Sequence, residues 1–248
     1  QGCLQPGKIK ATYGTGSSIM MNIGEKPILS THGVVTSLAW KIGGHVNYVL
    51  EGNLNYTGAV ITWLKDDLEL ISSAAETEAL ANKAVKEDGL YLVPAFSGLG
   101  APYWDSDARA AIVGMSRTTR KAELVRAALE CIAYQITDVV KAMSEDSKIC
   151  IGQLCVDGGP TRNAYLMQFQ SDLLTADVMV PNAEELSAIG PAYAAGLRLG
   201  LWDETIFTKL KRTAYKPSME DKKRTQKYAG WKEAGKSVLC HNKMAGKD

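Results

Sequence analysis

The fold of this chain is decided by the stretch Leu154-Cys155-Val156-Asp157-Gly158-Gly159-Pro160-Thr161-Arg162-Asn163. An apolar run ends there in an acid and two glycines, and apolar residues then recur at helical spacing. This order predicts a strand, a tight turn and a helix N-terminus. Glycines let a phosphate group approach the backbone closely, and a helix start offers N–H groups to an anion. An Asp-Gly-Gly turn alone is equally compatible with a βα turn that binds nothing.

A second glycine turn lies far upstream, in Tyr13-Gly14-Thr15-Gly16-Ser17-Ser18. Strand-like runs on both sides of it predict a hairpin. The turn is either a plain hairpin loop or a second phosphate cradle, in which the Thr15 and Ser17 hydroxyls add donors. Together the two turns fit a clamp that grips a nucleotide triphosphate from opposite walls of a groove. Neither turn has the Walker or the dinucleotide-binding glycine pattern.

Composition describes an ordinary globular protein. The chain has 248 residues, 46% of them hydrophobic and 22% charged, with a formal net charge of +1. That balance indicates no nucleic-acid or membrane partner. Five scattered cysteines without C-x-x-C spacing and three unclustered histidines predict no metal site and a reducing, cytoplasmic setting. Because the chain opens on Gln1-Gly2-Cys3 without Met, we expect it to be a piece of a longer polypeptide.

Hydrophobic periodicity predicts a β-meander followed by alternating strands and helices. The predicted strands are 8–13, 18–22, 34–40, 46–50, 90–94, 110–115, 149–156 and 178–180. The predicted helices begin at about Thr57 and cover 76–86, 121–143, 163–174, 187–199 and 217–235. This order favours an α/β domain with a central mixed sheet and helices on both faces.

Three details of these helices are also predicted. Thr118 or Thr119 is expected to cap helix 121–143. Helix 187–199, which is rich in Ala and Gly, is expected to pack closely against the core. Helix 217–235 is expected to face solvent, with Tyr228 and Trp231 as its anchors.

Several longer motifs carry a family resemblance. They include Tyr13-Gly14-Thr15-Gly16, the Asp-Gly-Gly turn, and residues 21–26, 47–52, 94–105, 126–135 and 166–172. On these motifs the chain resembles the C-terminal half of the FGGY carbohydrate kinases, and among them it is most similar to the glycerol kinases. The resemblance implies an actin-like, ribonuclease-H-like ATPase domain over residues 1–248, with the N-terminal sugar-binding domain outside this chain.

The resemblance also implies a site for ATP and Mg²⁺. In the family the two glycine turns hold the phosphates, a helix lines the nucleotide pocket, and an Asn contacts the nucleotide near the adenine. The matching positions here are Gly14, Thr15, Gly58, Gly158, Gly159 and Asn163. Thr62 stands where glycerol kinases usually carry Gln, which puts that contact in doubt. Asp157 is expected either to order its own turn or to hold a magnesium-bound water.

The acceptor side departs further from the pattern. Ser18 stands near where glycerol kinases place a Phe against the substrate, so either a larger or more polar sugar or polyol is accommodated, or Ser18 is a tolerated variant. The family's catalytic base is an Asp shortly upstream of the Gly-Thr-Gly turn, and no acid precedes Tyr13 here. We therefore expect no catalytic residue in this chain, a base upstream of Gln1, and no phosphoryl transfer by the chain alone.

The implied partners are a small sugar or polyol and the enzyme's own N-terminal domain, with self-association left open. Two other classes are compatible with the residues. One is a non-catalytic nucleotide-binding or regulatory module of the actin-like superfamily, and the other is a structural α/β interaction domain.

Overall fold

The computed structural model describes residues 1–42, 44–84, 89–183 and 186–239. The strands within these ranges are β1 (Ile9–Tyr13), β2 (Ser17–Gly24), β3 (Val35–Ile42), β4 (His45–Leu54), β5 (Tyr91–Val93), β6 (Ala111–Val113), β7 (Gln153–Asp157), β8 (Asp177–Pro181) and β9 (Arg212–Tyr215). The α-helices are α1 (Gly58–Thr62), α2 (Glu76–Lys83), α3 (Lys121–Ser147), α4 (Ala164–Leu174), α5 (Leu186–Arg198) and α6 (Asp221–Leu239). A π-helical turn, Trp63–Asp67, continues α1, and 3₁₀ turns cover Gly159–Arg162 and Glu204–Lys209.

Seven of these strands form one mixed sheet in the order β3-β4-β2-β1-β7-β8-β9. The pairs β1–β7 and β7–β8 are parallel. The pairs β1–β2, β2–β4, β3–β4 and β8–β9 are antiparallel. Strands β5 and β6 form a separate antiparallel pair. The predicted α/β class with a central mixed sheet is confirmed.

Helix α3 is the centre of the core. It packs against β2 and β4 of the sheet and against α2 and α4. On β1, the alternate residues Ile9, Ala11 and Tyr13 are fully buried, as a strand with one face on the core requires. The Tyr13 hydroxyl donates a 3.0 Å hydrogen bond to Oε1 of Gln170 on α4, so sheet and helix are joined directly behind the first glycine turn.

The start of α3 differs from the prediction. Its N-cap is Arg120 rather than Thr118 or Thr119, and Oε2 of Glu123 accepts a 2.9 Å hydrogen bond from the Arg120 N–H. The Thr119 hydroxyl instead accepts from the Ser116 N–H, at 2.9 Å. Thr119 therefore closes the preceding turn, and a reciprocal bond from the first helical turn replaces a threonine cap.

Helix α5 is mostly exposed, so its predicted close packing against the core is wrong. Of its small residues, Gly196 lies against Trp202, because a Cβ at Gly196 would come within 2.0 Å of the indole ring. The predicted end of helix 76–86 lies outside the described residues. Among the helices that the structure describes, none combines the length and apolar character needed to cross a bilayer.

Candidate functional site

The two glycine turns lie side by side at one edge of the sheet. Strands β1 and β7 are parallel neighbours, with Thr12 paired to Asp157, so the turns that follow them meet. A Cβ on Gly158 would lie only 1.9 Å from the Tyr13 carbonyl oxygen. The expected arrangement on opposite walls of a groove is therefore wrong. The turns form one rim at the carboxyl ends of the strands, where open α/β sheets bind ligands.

The Gly14-Thr15-Gly16 turn is joined to the start of α1 by backbone hydrogen bonds. The Thr15 carbonyl accepts from the N–H groups of Thr57 and Ala59, at 2.9 and 3.0 Å, and the Gly14 carbonyl accepts from Gly58 at 2.9 Å. A Cβ on Gly58 would come within 2.7 Å of the Gly14 oxygen. Glycine at position 58 therefore lets the helix approach the turn, and the turn satisfies the first N–H groups of the helix.

A cavity of about 610 Å³, the turn cavity, opens beside the rim that the two turns form. Its lining includes Thr12, Gly14, Asp157, Gly158, Gly159 and Arg162. A Cβ on Gly159 would meet no atom within 4 Å, so this glycine borders open space rather than packed protein.

A second cavity of about 550 Å³, the helix cavity, lies between α1, α2, α3 and the start of α4. Its lining includes Gly58, Thr62, Ile132, Gly159, Arg162 and Asn163. Because Gly159 and Arg162 line both cavities, the two spaces adjoin. One end of the combined site carries backbone turns and a carboxylate, and the other end includes aliphatic side chains. Both volumes are in the range of small-molecule sites.

Most of the predicted site residues are brought together here. Six of them line one cavity or both, namely Gly14, Gly58, Thr62, Gly158, Gly159 and Asn163. Thr15 and Ser18 lie outside both linings. The Thr15 carbonyl instead accepts the hydrogen bonds that join the turn to the start of α1. Ser18 lies on β2 opposite Thr12, and its hydroxyl and carbonyl both accept from the Lys10 ammonium, at 3.4 and 3.3 Å.

Two residues at the helix cavity have structural hydrogen bonds of their own. Asn163 caps α4, because its Oδ1 accepts from the Leu166 N–H at 2.9 Å, while its Nδ2 donates to the Thr77 hydroxyl at 2.9 Å. The Thr62 hydroxyl donates to the Gly58 carbonyl, at 3.3 Å. A ligand contact by Asn163 would use the remaining hydrogen or lone pair of the amide.

Asp157 is the one acid among the described residues that line the turn cavity. Its Oδ2 accepts a 2.7 Å hydrogen bond from Nε2 of Gln1, so the carboxylate is held in place. Burial lowers the pKa of Lys10 on the neighbouring strand, and the charges of Asp157 and Glu51 oppose that shift. In the part of the chain that the structure describes, no cluster of three or more His, Cys, Asp or Glu side chains could hold a metal ion.

Arg162 and Lys65 were missed by sequence reasoning. Arg162 ends the 3₁₀ turn after the Asp-Gly-Gly motif and lines both cavities. The sequence feature that could have identified Arg162 as a site residue is its position three residues after Gly159. Lys65 lies on the π-helical turn and lines the helix cavity. No local pattern in the sequence predicts this π turn.

The mixed sheet with glycine turns at its carboxyl edge fits the actin-like ATPase fold that the family resemblance implied. Solved structures agree, including a xylulose kinase of Lactobacillus acidophilus, which is 19% identical with a TM-score of 0.80 over 99% of this chain and 49% of that one. The model of the FGGY family of carbohydrate kinases, C-terminal domain, matches residues 9–199. The chain therefore belongs to the FGGY family of carbohydrate kinases, as the C-terminal domain of its members.

Glycerol kinases are among the curated relatives that match this chain. That of Petrotoga mobilis is 51% identical over 237 residues, which cover 94% of this chain and 48% of the relative. A structure of the Plasmodium falciparum glycerol kinase with ADP is 36% identical, with a TM-score of 0.88 over 96% of this chain and 48% of that one. The chain thus spans about half the length of the curated relatives that it matches.

Proposed function

We propose that this chain is the nucleotide-binding half of a kinase that transfers the γ-phosphoryl group of ATP to a hydroxyl of a sugar or polyol. The observation that carries the proposal is the pair of adjoining cavities. One has the backbone turns that phosphates need, and the other has aliphatic walls that suit a purine. Since ATP is made and used in the cytoplasm, we place the enzyme there.

The nucleotide would lie along the two cavities with its phosphates at the turns. Gly14, Gly158 and Gly159 would face the phosphates, and Arg162 would add a positive charge where the cavities meet. The base would lie in the helix cavity beside Gly58, Thr62 and Asn163. The Thr62 side chain is shorter than the Gln of the family pattern. We therefore expect this chain to make fewer contacts with the adenine at this position than family members that carry Gln.

The residues present fit a magnesium ion bound mainly through ATP. Mg²⁺ keeps several waters and takes few protein ligands when it accompanies phosphates. Asp157, held beside the turns by Gln1, would accept hydrogen bonds from such waters. When bound, the ion would neutralise charge on the transferred phosphoryl group.

The acceptor would approach from the side of β1 and β2. There Lys10 donates hydrogen bonds to Ser18 and, at 3.2 Å, to the Thr12 hydroxyl. We place the catalytic base, the group that takes the proton from the acceptor hydroxyl, in a segment N-terminal to Gln1. The sugar-binding domain, which is the partner of this half, would lie in the same segment. The half-length match to the relatives supports that placement.

The test is a coupled ADP-release assay on a protein that carries the N-terminal half, across glycerol, erythritol, xylulose, ribulose and gluconate. We expect turnover with one or more of these acceptors, whereas this chain alone should bind MgADP in calorimetry and transfer nothing. Turnover of glycerol alone would show that Ser18 is a tolerated variant. Nucleotide binding without turnover of any acceptor would favour the non-catalytic module.

A further inference from the structure

Two hydroxyl groups on neighbouring strands share one ammonium group beside the turn cavity. The Lys10 ammonium donates to the Thr12 hydroxyl at 3.2 Å, to the Ser18 carbonyl at 3.3 Å and to the Ser18 hydroxyl at 3.4 Å. The odd-numbered residues of β1 are buried in the core, so alternation along the strand places Lys10 and Thr12 on the opposite face. Thr12 pairs with Ser18 in the register of β1 and β2, which brings both hydroxyls within reach of one lysine.

The partners of the Lys10 ammonium are neutral, although the side chain is partly buried. All of its hydrogen-bond acceptors are hydroxyl or carbonyl oxygens, and among the described residues no carboxylate forms an ion pair with it. Asp157 and Glu51 act on its charge only from a longer distance. Because partial burial costs a charged group some of its hydration, a positive charge held in this way suits a site that receives an anion.

The hydrogen bond from Lys10 determines where the Thr12 hydroxyl can point. An ammonium group donates but cannot accept, so Oγ1 of Thr12 is the acceptor and its own hydrogen is directed away from Lys10. Within the described ranges this hydroxyl makes no other hydrogen bond. Since Thr12 lines the turn cavity, an acceptor that enters the cavity can take this hydrogen.

The position of Thr12 along the combined site indicates which part of a nucleotide would reach it. Gly159 and Arg162 line both cavities, whereas Thr12 lines the turn cavity and not the helix cavity. A nucleotide with its base in the helix cavity would pass Gly159 and Arg162 first. Thr12 lies on β1 before the Gly14-Thr15-Gly16 turn, so the group that reaches it would be the terminal phosphoryl group.

We propose that the Thr12 hydroxyl donates a hydrogen bond to the terminal phosphoryl group of a bound nucleoside triphosphate, and that Lys10 is the positioning residue that orients this hydroxyl. The inference deepens the proposed function and rests on it. A nucleoside diphosphate lacks the terminal phosphoryl group. The contact would therefore contribute to the affinity for ATP and not to the affinity for ADP.

Calorimetry on this chain, with MgADP and with the Mg²⁺ complex of a non-hydrolysable ATP analogue, tests the contact. Thr12→Val keeps the shape of the side chain and removes the donor. Its affinity for the analogue should fall about tenfold, while its affinity for MgADP should not change. Thr12→Ser keeps the hydroxyl and should bind both nucleotides as the unmodified chain does. An unchanged affinity of Thr12→Val for the analogue, or an equal loss for both nucleotides, would overturn the proposal.

A double-mutant cycle tests whether Lys10 acts through Thr12. Lys10→Met should lower the affinity for the analogue about threefold relative to that for MgADP, because the Thr12 hydroxyl is then free to rotate. In the Thr12→Val background, Lys10→Met should not change the ratio of the two affinities any further. A further change in that ratio would show that Lys10 contacts the phosphoryl group itself, against the positioning role. Lys8→Met is the matched control, because Lys8 precedes the same strand and is exposed, and it should leave the ratio unchanged.

The same titrations separate this inference from the proposed function. If the unmodified chain binds neither nucleotide, the proposed function and the Thr12 contact both fail. If it binds both and the ratio of affinities is the same in every variant, only the contact fails, and the assignment of the two cavities to a nucleotide stands.

Discussion

At the residue scale, the two glycines of the Asp-Gly-Gly turn have different tasks. Gly158 has φ of 99°, and a Cβ there would lie 1.9 Å from the Tyr13 carbonyl oxygen. Gly159 borders the cavities, and a Cβ there would meet open space. The first glycine is therefore required by the fold, and the second keeps the proposed phosphate position open.

Gly158→Ala should lower the free energy of unfolding by roughly 2–4 kcal/mol, because the methyl group strains the backbone and pushes β7 from β1. Gly159→Val should change it by less than about 1 kcal/mol but weaken binding of an ATP analogue at least tenfold, since its side chain fills the phosphate path. Urea unfolding and calorimetry measure the two quantities. Equal stability of the two variants, or unchanged affinity of Gly159→Val, would contradict this division.

The sequence predicted both glycine turns, because their residue types and flanking runs are local signals. It did not predict which glycine the fold requires, since that depends on the Tyr13 carbonyl of a distant strand. The task of Asn163 was hidden for a similar reason. Its side chain caps α4 and contacts Thr77, and the second of these contacts exists only after α2 has packed.

At the scale of elements, the connection between β2 and β3 is fastened to the end of α3 by one carboxylate. Asp146 accepts hydrogen bonds from the Ser30 hydroxyl at 2.5 Å, the Thr31 N–H at 3.0 Å and Nδ1 of His32 at 2.6 Å. Burial raises the pKa of Asp146, but these hydrogen bonds outweigh it and lower that pKa to about 2.

Asp146→Asn should destabilise the protein by about 2 kcal/mol at pH 7, because the folded-state pKa lies below the ordinary value. A carboxyl group whose pKa is lowered by folding stabilises the folded protein at pH values above its unfolded-state pKa. The loss of free energy of unfolding in Asp146→Asn, relative to the unmodified protein, should therefore shrink as the pH falls from about 4 to 2. Urea unfolding across that window measures it. Glu145→Gln is the control, because the Glu145 side chain is 61% exposed and its contact with Nε2 of His32, at 3.5 Å, is long. An equal loss in both variants would show that Asp146 has no special role.

Elements with strong periodicity were the ones that the sequence predicted well. Helix α3 and strands β1, β2 and β7 follow clear apolar patterns. Strand β9 was missed because Arg212–Tyr215 has no buried residue and so shows no apolar pattern. The packing of α5 was predicted wrongly because small residues allow another element to pack closely but do not show whether one does. Such features depend on tertiary contacts rather than on local pattern.

At the scale of the whole molecule, a buried acid on α3 holds the C-terminal helix and a long loop together. Asp138 accepts from the hydroxyls of Tyr103 and Tyr228, at 2.7 and 2.5 Å, and from the Trp231 indole N–H at 2.7 Å. Trp231 also stacks on Tyr134, with centroids 5.1 Å apart. The predicted anchors of α6, Tyr228 and Trp231, are thus confirmed, whereas their shared acceptor could not be read from sequence.

Replacing that acceptor should loosen the whole domain. Asp138 is 3% exposed, and burial together with its charge raises the pKa values of Tyr103 and Tyr228, which keeps both hydroxyls as donors. An Asn side chain has one acceptor oxygen and would turn an NH₂ group toward some of these donors. Asp138→Asn should therefore lower the free energy of unfolding by about 3–5 kcal/mol in urea titrations.

Lys232 provides the control for this variant. Its side chain is 39% exposed and its ammonium lies 3.4 Å from Oδ1 of Asp138, so Lys232→Gln should cost less than about 1 kcal/mol. No described residue of α6 lines the turn cavity or the helix cavity, and the nucleotide affinity of whatever Asp138→Asn protein remains folded should be unchanged. A loss below 1 kcal/mol in Asp138→Asn would mean that α6 is held by apolar packing alone, because Trp231 would then keep its place without its hydrogen bond.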